Sequence, residues 1–188
     1  MSPKELRCLP GGATGEVDPT DLAALYQEHV DFVWRIAKHM GAPPQDVGDI
    51  VHDVFLIAYR RRHDFDRERK IRNWLFGITR NVVARARTGV HRERRLQAVP
   101  SPQAPVATAE TVLQQSQAHA LLQTFLAGLP EEQRAVFVLH DVEGVAAPDV
   151  AVAVGAKTNT VYSRLRLARK KFERFAARYR AEVKRHGE

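Results

Sequence analysis

Apolar residues recur at three- and four-residue spacing along most of this chain, a period that predicts helices. From Asp21 onward, Leu22, Leu25, Tyr26, His29, Val33, Ile36, Ala37 and Met40 mark one stripe, and Gly41 ends it. Pro43 and Pro44 open a second helix with Val47, Ile50, Val51, Val54, Phe55 and Ala58 inward. A third runs from about Ile71 to Arg95, with Trp74, Leu75, Ile78, Val82 and Ala86 on its packing side. A fourth spans Ala109 to Ala127 and leads into Leu129-Pro130. Next, Ala135, Val136, Val138 and Leu139 form a short stripe that Gly144 breaks. Pro148 opens another, with Val150, Ala151 and Val154 inward, and Gly155 closes it. The last helix starts near Thr158, with Val161, Leu165, Ala168 and Phe172 on one side.

The last two helices, short then long with a glycine in the turn between, have the form of a helix-turn-helix. If Val161, Leu165 and Ala168 face inward, Tyr162, Ser163 and Arg166 face outward. Arginine bonds guanine bidentately, and hydroxyls reach base edges or phosphate. Lys157, Arg164, Arg169, Lys170 and Lys171 supply positive charge around them. Thr158 and Asn159 suit the N-cap of this helix. The plainer reading is a solvated basic face on a helical hairpin.

Charge sharpens the picture. The 188 residues carry a net charge of +7, unevenly placed. Residues 60–95 hold 13 Lys/Arg against 4 Asp/Glu, and 157–185 hold 11 against 2. Segments 21–59 and 96–156 are net acidic. Two basic surfaces suggest two nucleic-acid contacts, and the acidic stretches at least one further partner. The apolar content of 44% allows real cores. The single Cys8 excludes a disulfide within the chain and fits a reducing compartment. No apolar run reaches membrane-spanning length and no secretory signal pattern is present, so the expected location is the cytoplasm, without membrane insertion. The eight histidines make no His-Glu-x-x-His, and there is neither a Cys cluster nor a phosphate-binding glycine loop. An enzyme is therefore not expected, and no cofactor or metal.

The motifs resemble those of the extracytoplasmic-function group of bacterial sigma-70 factors. Val47-Gly48-Asp49-Ile50-Val51-His52-Asp53-Val54-Phe55 is similar to the family's Ala-Glu-Asp-Leu-Val-Gln-Glu-Val-Phe, with Gly48 and His52 as departures. Trp74-Leu75, Ile78 and Arg80-Asn81 match its next signature. Leu129-Pro130, Arg134, Gly144, Thr160-Val161, Ser163-Arg164-Leu165 and Ala168-Arg169 match its region 4. Asn159 replaces a usual glycine, and Ala146-Ala147 a Ser-Tyr that would cap the middle helix.

The resemblance implies an all-α protein of two small helical domains joined by a flexible linker. The expected division is a flexible segment 1–20, region 2 over 21–95, a proline-containing linker 96–110, region 4 over 111–180 and a basic tail 181–188 that frays. It implies a factor that binds core RNA polymerase and directs promoter-specific initiation, with an anti-sigma protein as a further partner. Asp49, Ile50, His52, Asp53 and Phe55 would meet the polymerase. Phe65, Arg67, Trp74, Arg80 and Asn81 would hold the −10 element, where melting needs captured bases and charge along one strand. Trp74 would by default be a core residue. Lys157, Thr158, Asn159, Thr160, Tyr162, Ser163, Arg164, Arg166, Arg169 and Lys170 would meet the −35 element. A stand-alone helix-turn-helix regulator is the alternative, but it leaves the Asp49–Phe55 and Trp74–Asn81 motifs without a role.

Overall fold

The computed structural model describes residues 21–66, 70–88 and 109–186. Every regular element among them is helical. The chain divides into two compact units, the first ending at Gln123 and the second beginning at Thr124. The expected linker at 96–110 falls outside the described residues except for 109 and 110, which already belong to a helix.

In the first unit, α1 (Leu22–His39) begins where Asp21 Oδ1 accepts from the N–H groups of Ala23 and Ala24 at 3.0 and 3.1 Å. That cap satisfies two donors the helix itself cannot. Gly41, at φ 87°, provides the stop. A 3-10 turn at Pro44–Asp46 leads into α2 (Val47–Arg60), whose six expected inward residues are all buried. After a second 3-10 turn at Arg62–Asp64 comes α3 (Ile71–Arg87). It ends eight residues short of the expected Arg95: the Thr88 hydroxyl donates to the Arg85 carbonyl at 2.9 Å, and 89–95 lie outside the described residues.

α1, α2 and α3 all pack on one another. Their shared core adds Phe32, His39, Phe76, Thr79 and Val83 to the residues the pattern selected. Thr79 is tolerated there because its hydroxyl donates to the Leu75 carbonyl at 2.7 Å.

α4 (Ala109–Ala127) has the expected limits and carries the chain from the first unit into the second. α5 (Glu131–Phe137) follows Pro130, which holds the N-cap position rather than the first helical turn. α5 then continues as a π-helical stretch, Val138–Val142, that the periodicity does not reveal. α6 (Ala147–Val154) lacks a side-chain cap at Ala146 and stops at Gly155, φ 65°. α7 runs from Thr158 to His186, so residues 181–186 of the segment expected to fray are helical, and 187–188 lie outside the described residues. α5 and α6 pack on α7, and Phe125 of α4 stacks against Phe137, Phe172 and Phe175 at 5.1–5.5 Å between ring centres.

Candidate nucleic-acid interface and partner face

The basic helix α7 supplies the clearest surface. Val161, Leu165, Ala168 and Phe172 are buried, which turns the opposite side outward. The Lys157 carbonyl accepts from Val161 N–H at 3.1 Å, the first bond of the helix. Lys157 is therefore the N-cap, and Thr158 and Asn159 lie one and two residues inside, not at the cap as their side chains suggested. Lys157, Asn159, Tyr162, Ser163, Arg166 and Lys170 are exposed, whereas Thr158 and Thr160 are half-buried. The Ser163 hydroxyl donates to the Asn159 carbonyl at 3.0 Å, which leaves its oxygen as an outward acceptor.

Two expected contact arginines are engaged inside the unit. Arg164 pairs with Glu132 of α5. Arg169 forms a fork with Asp141, Nε to Oδ2 at 3.0 Å and a terminal nitrogen to Oδ1 at 2.6 Å. This hydrogen bond also raises the Arg169 guanidinium above its ordinary range. Asp141 is 4% exposed and sits in the π-helical stretch. These two arginines thus secure α7 to α5 and its continuation. Arg134, one of the family matches, is buried and donates to the carbonyls of Ala127 and Leu129, each at 3.2 Å, so it secures the α4–α5 turn. The His140 ring meets the Val145 carbonyl at 2.7 Å and closes the turn around Gly144.

In the first unit, Trp74 is half-buried rather than part of the core and stands 5.1 Å from Phe65. The pair forms an aromatic step at the start of α3. Asn81 is exposed and Arg80 half-buried, while Arg67 lies outside the described residues. Arg72 covers the Phe32 ring at 4.9 Å. On α2, His52 is exposed, and Asp49 and Asp53 are half-buried with partners in the chain. Ile50 is fully buried and touches no partner directly in this conformation, whereas Phe55, 3% exposed, presents only the edge it lends to the groove beside α1. Ile50 holds the ridge from behind, a correction to its expected direct contact. Leu56, absent from the expected site, joins the outward ridge beside His52. A groove of about 460 Å³ between α1 and α2 is lined by Leu22, Tyr26, His52, Phe55 and Leu56.

Two histidines inside this unit are neutralised. Burial pushes His39 down to about 3, helped by His119, Arg35 and Lys38. Burial also lowers His29, against the opposing charge of Glu28. Among the described residues no group of His, Cys, Asp or Glu is arranged to hold a metal ion. No helix there is long and apolar enough to cross a membrane.

Known proteins match both units. Residues 25–93 match the sigma-70 region 2 model and 119–172 the sigma-70 region 4 model. The ECF RNA polymerase sigma factor SigE of Mycolicibacterium smegmatis is 27% identical over 162 residues, 85% of this chain; the chain spans about 63% of that relative's length. The RNA polymerase sigma-E factor of Streptomyces avermitilis is 30% identical over 147 residues, covering 76% of this chain and 80% of the relative. The solved structure of CnrH in complex with the cytosolic domain of CnrY shares 26% identity at a TM-score of 0.61, covering 85% of this chain and 88% of that one. The helix-turn-helix, the α2 ridge and the aromatic step at α3 thus occur together in a chain that belongs to the sigma-70 family, as an RNA polymerase sigma factor of the extracytoplasmic-function type.

Proposed function

We propose that this chain binds core RNA polymerase through the α2 ridge and directs initiation at promoters by contacts from α3 and α7. The observation that carries the reading is the sorting of side chains on α7. Lys157, Tyr162, Ser163 and Arg166 project outward on its first turns, while Arg164 and Arg169 are tied back to Glu132 and Asp141. The first turns of a recognition helix are those that meet base edges in the major groove. Arg166 would read a base, and Lys170, a turn later, would meet phosphate. Around −10, the Phe65–Trp74 step offers rings on which an unpaired base can stack, with Arg80 and Asn81 further along α3.

For the polymerase, the proposed contact is Asp49, His52, Asp53 and Leu56, with the adjacent groove open to an apolar side chain. The chain itself performs no catalysis in this reading and works in the cytoplasm, with an anti-sigma protein as a further partner. Residues 21–95 and 111–180 would fold as separate domains, and limited proteolysis of the full chain that releases two folded fragments tests this division.

The decisive experiment measures promoter binding by holoenzyme over a library of −35 sequences. Arg166→Ala should cost about 1–3 kcal/mol at the preferred sequence and relax preference at one or two base pairs. Lys170→Ala should weaken all sequences alike. An equal loss on every sequence for Arg166→Ala would show that the helix anchors without reading.

A further inference from the structure

Beyond its first turns, α7 carries a feature that base reading does not use. The helix has 29 residues and is about 43 Å long, whereas the major groove is about 12 Å wide. Its C-terminal half therefore extends well past any groove its first turns enter. On the outward side, Arg166, Lys170, Arg174 and Arg178 follow one another at four-residue steps, and all four are exposed. Successive members stand about 6 Å apart along the axis and turn about 40° around it. The ion pairs that tie α7 to the rest of the second unit, Arg164 with Glu132 and Arg169 with Asp141, involve none of the four.

Such a ladder works against the helix that bears it, because like charges four residues apart repel. Three consecutive steps of repulsion persist here, although Glu or Gln at Arg174 or Arg178 would relieve them. Past Phe172 the inward stripe also loses its cover: Tyr179 is 41% and Val183 54% exposed. Nothing among the described residues shields this end of α7 from a large ligand.

We infer that Arg174 and Arg178 extend the DNA contact of α7 onto duplex phosphates flanking the −35 element, as a sequence-independent arm. The inference rests on the proposed reading of α7 as the −35 helix. Its ligand is the phosphate backbone, which neutralises the ladder and converts its repulsion into binding, with release of condensed counterions. Arg166 and the arm act differently although they share one rigid helix: the first selects a sequence, the second holds any sequence in place.

The test uses holoenzyme reconstituted from core polymerase with the full chain carrying Arg174→Ala and Arg178→Ala. Promoter affinity is measured between 50 and 200 mM salt on several −35 sequences. The plot of log affinity against log salt should become shallower by about two, so that the wild-type advantage shrinks about tenfold across this range. The loss at any one salt concentration should be equal on all −35 sequences. Arg174→Lys with Arg178→Lys should restore the slope, since a phosphate accepts either cation. An unchanged slope overturns the proposal, as does a loss confined to particular −35 sequences. Failure of Arg166→Ala to alter sequence preference would instead strike the reading on which the arm rests, leaving the slope result separate.

Discussion

The fork between Arg169 and Asp141 makes an asymmetric prediction. The partners come from elements 28 residues apart and join the π-helical stretch to α7. Their exposures differ: the Asp141 side chain is 5% exposed and that of Arg169 42%. Replacing Asp141 by Leu leaves a guanidinium that can turn to water. The loss is that of charge-assisted hydrogen bonds, discounted for screening, or about 1–2 kcal/mol. Replacing Arg169 by Met keeps the aliphatic packing but leaves a carboxylate buried without its cation. Breaking a buried pair from that side costs about 3–5 kcal/mol. The double replacement removes both charges and should fall within about 1 kcal/mol of the native chain, since the stranded charge is gone.

Urea unfolding of the full chain separates these cases, because both tryptophans, Trp34 and Trp74, lie in the first unit. Far-ultraviolet circular dichroism follows both units, and tryptophan fluorescence follows the first alone. With a slope of about 1–3 kcal/mol per molar urea, Arg169→Met should lower the midpoint of the second unit by at least about 1 M. The fluorescence transition should not move. If Asp141→Leu proves as damaging as Arg169→Met, or the double replacement is worse than either, burial of the carboxylate does not control this interface and the reasoning fails.

Charge reversal of Asp49 to Lys should weaken binding to core polymerase in pull-down; because Asp49 has partners in the chain, thermal unfolding must be measured alongside, and full binding would remove it from the contact. Phe55→Ala should destabilise the first unit by about 3–5 kcal/mol, read by tryptophan fluorescence in urea. Gly155→Ala, at φ 65°, should cost about 1 kcal/mol or more in the second unit by circular dichroism. His29 and His39 are held neutral by burial, so below about pH 6.5 the unfolded chain takes up protons that the fold refuses. Stability of the first unit should be complete above that pH and fall on acidification, for His39 down to about pH 3, by up to about 1.4 kcal/mol per pH unit per group. His39→Leu should flatten the urea midpoint against pH between 7 and 5; an unchanged slope would exclude His39 as a source.

Local signals carried much of this architecture. Asp21 caps α1, Gly41 and Gly155 stop their helices, and the period of α2 names every residue it buries. These features depend on neighbours within a turn or two, which a linear pattern contains. Two of the misses have non-local causes. Trp74 leaves the core because Phe65, from the preceding turn, gives it a partner at the surface. Asp141 is buried in the π-helical stretch because Arg169, 28 residues away on α7, supplies its partner, a pairing no local pattern contains. α7 continues to His186 because its last turns are rich in Ala, Arg, Glu and Lys, which are strong helix formers, and no Gly or Pro intervenes before Gly187. High charge alone suggested fraying there, but charge sets solubility and partners more than it sets helix ends.

Charge is also where the candidate site was least legible. The segment 157–185 has eleven cations, and composition treats them alike. What separates them is the position of carboxylates elsewhere in the fold. Glu132 on α5 and Asp141 in the π-helical stretch take Arg164 and Arg169, the two arginines on the flanks of α7. Both acids belong to the 96–156 stretch, whose net negative charge suggested a further partner surface. Part of that charge is instead the internal counterpart of α7. The cations left facing outward are Lys157, Arg166, Lys170 and those that follow, which is the set a polyanion can reach. A count over sequence therefore overstates both the basic surface available to DNA and the acidic surface available to another protein, and it does so by the same two ion pairs.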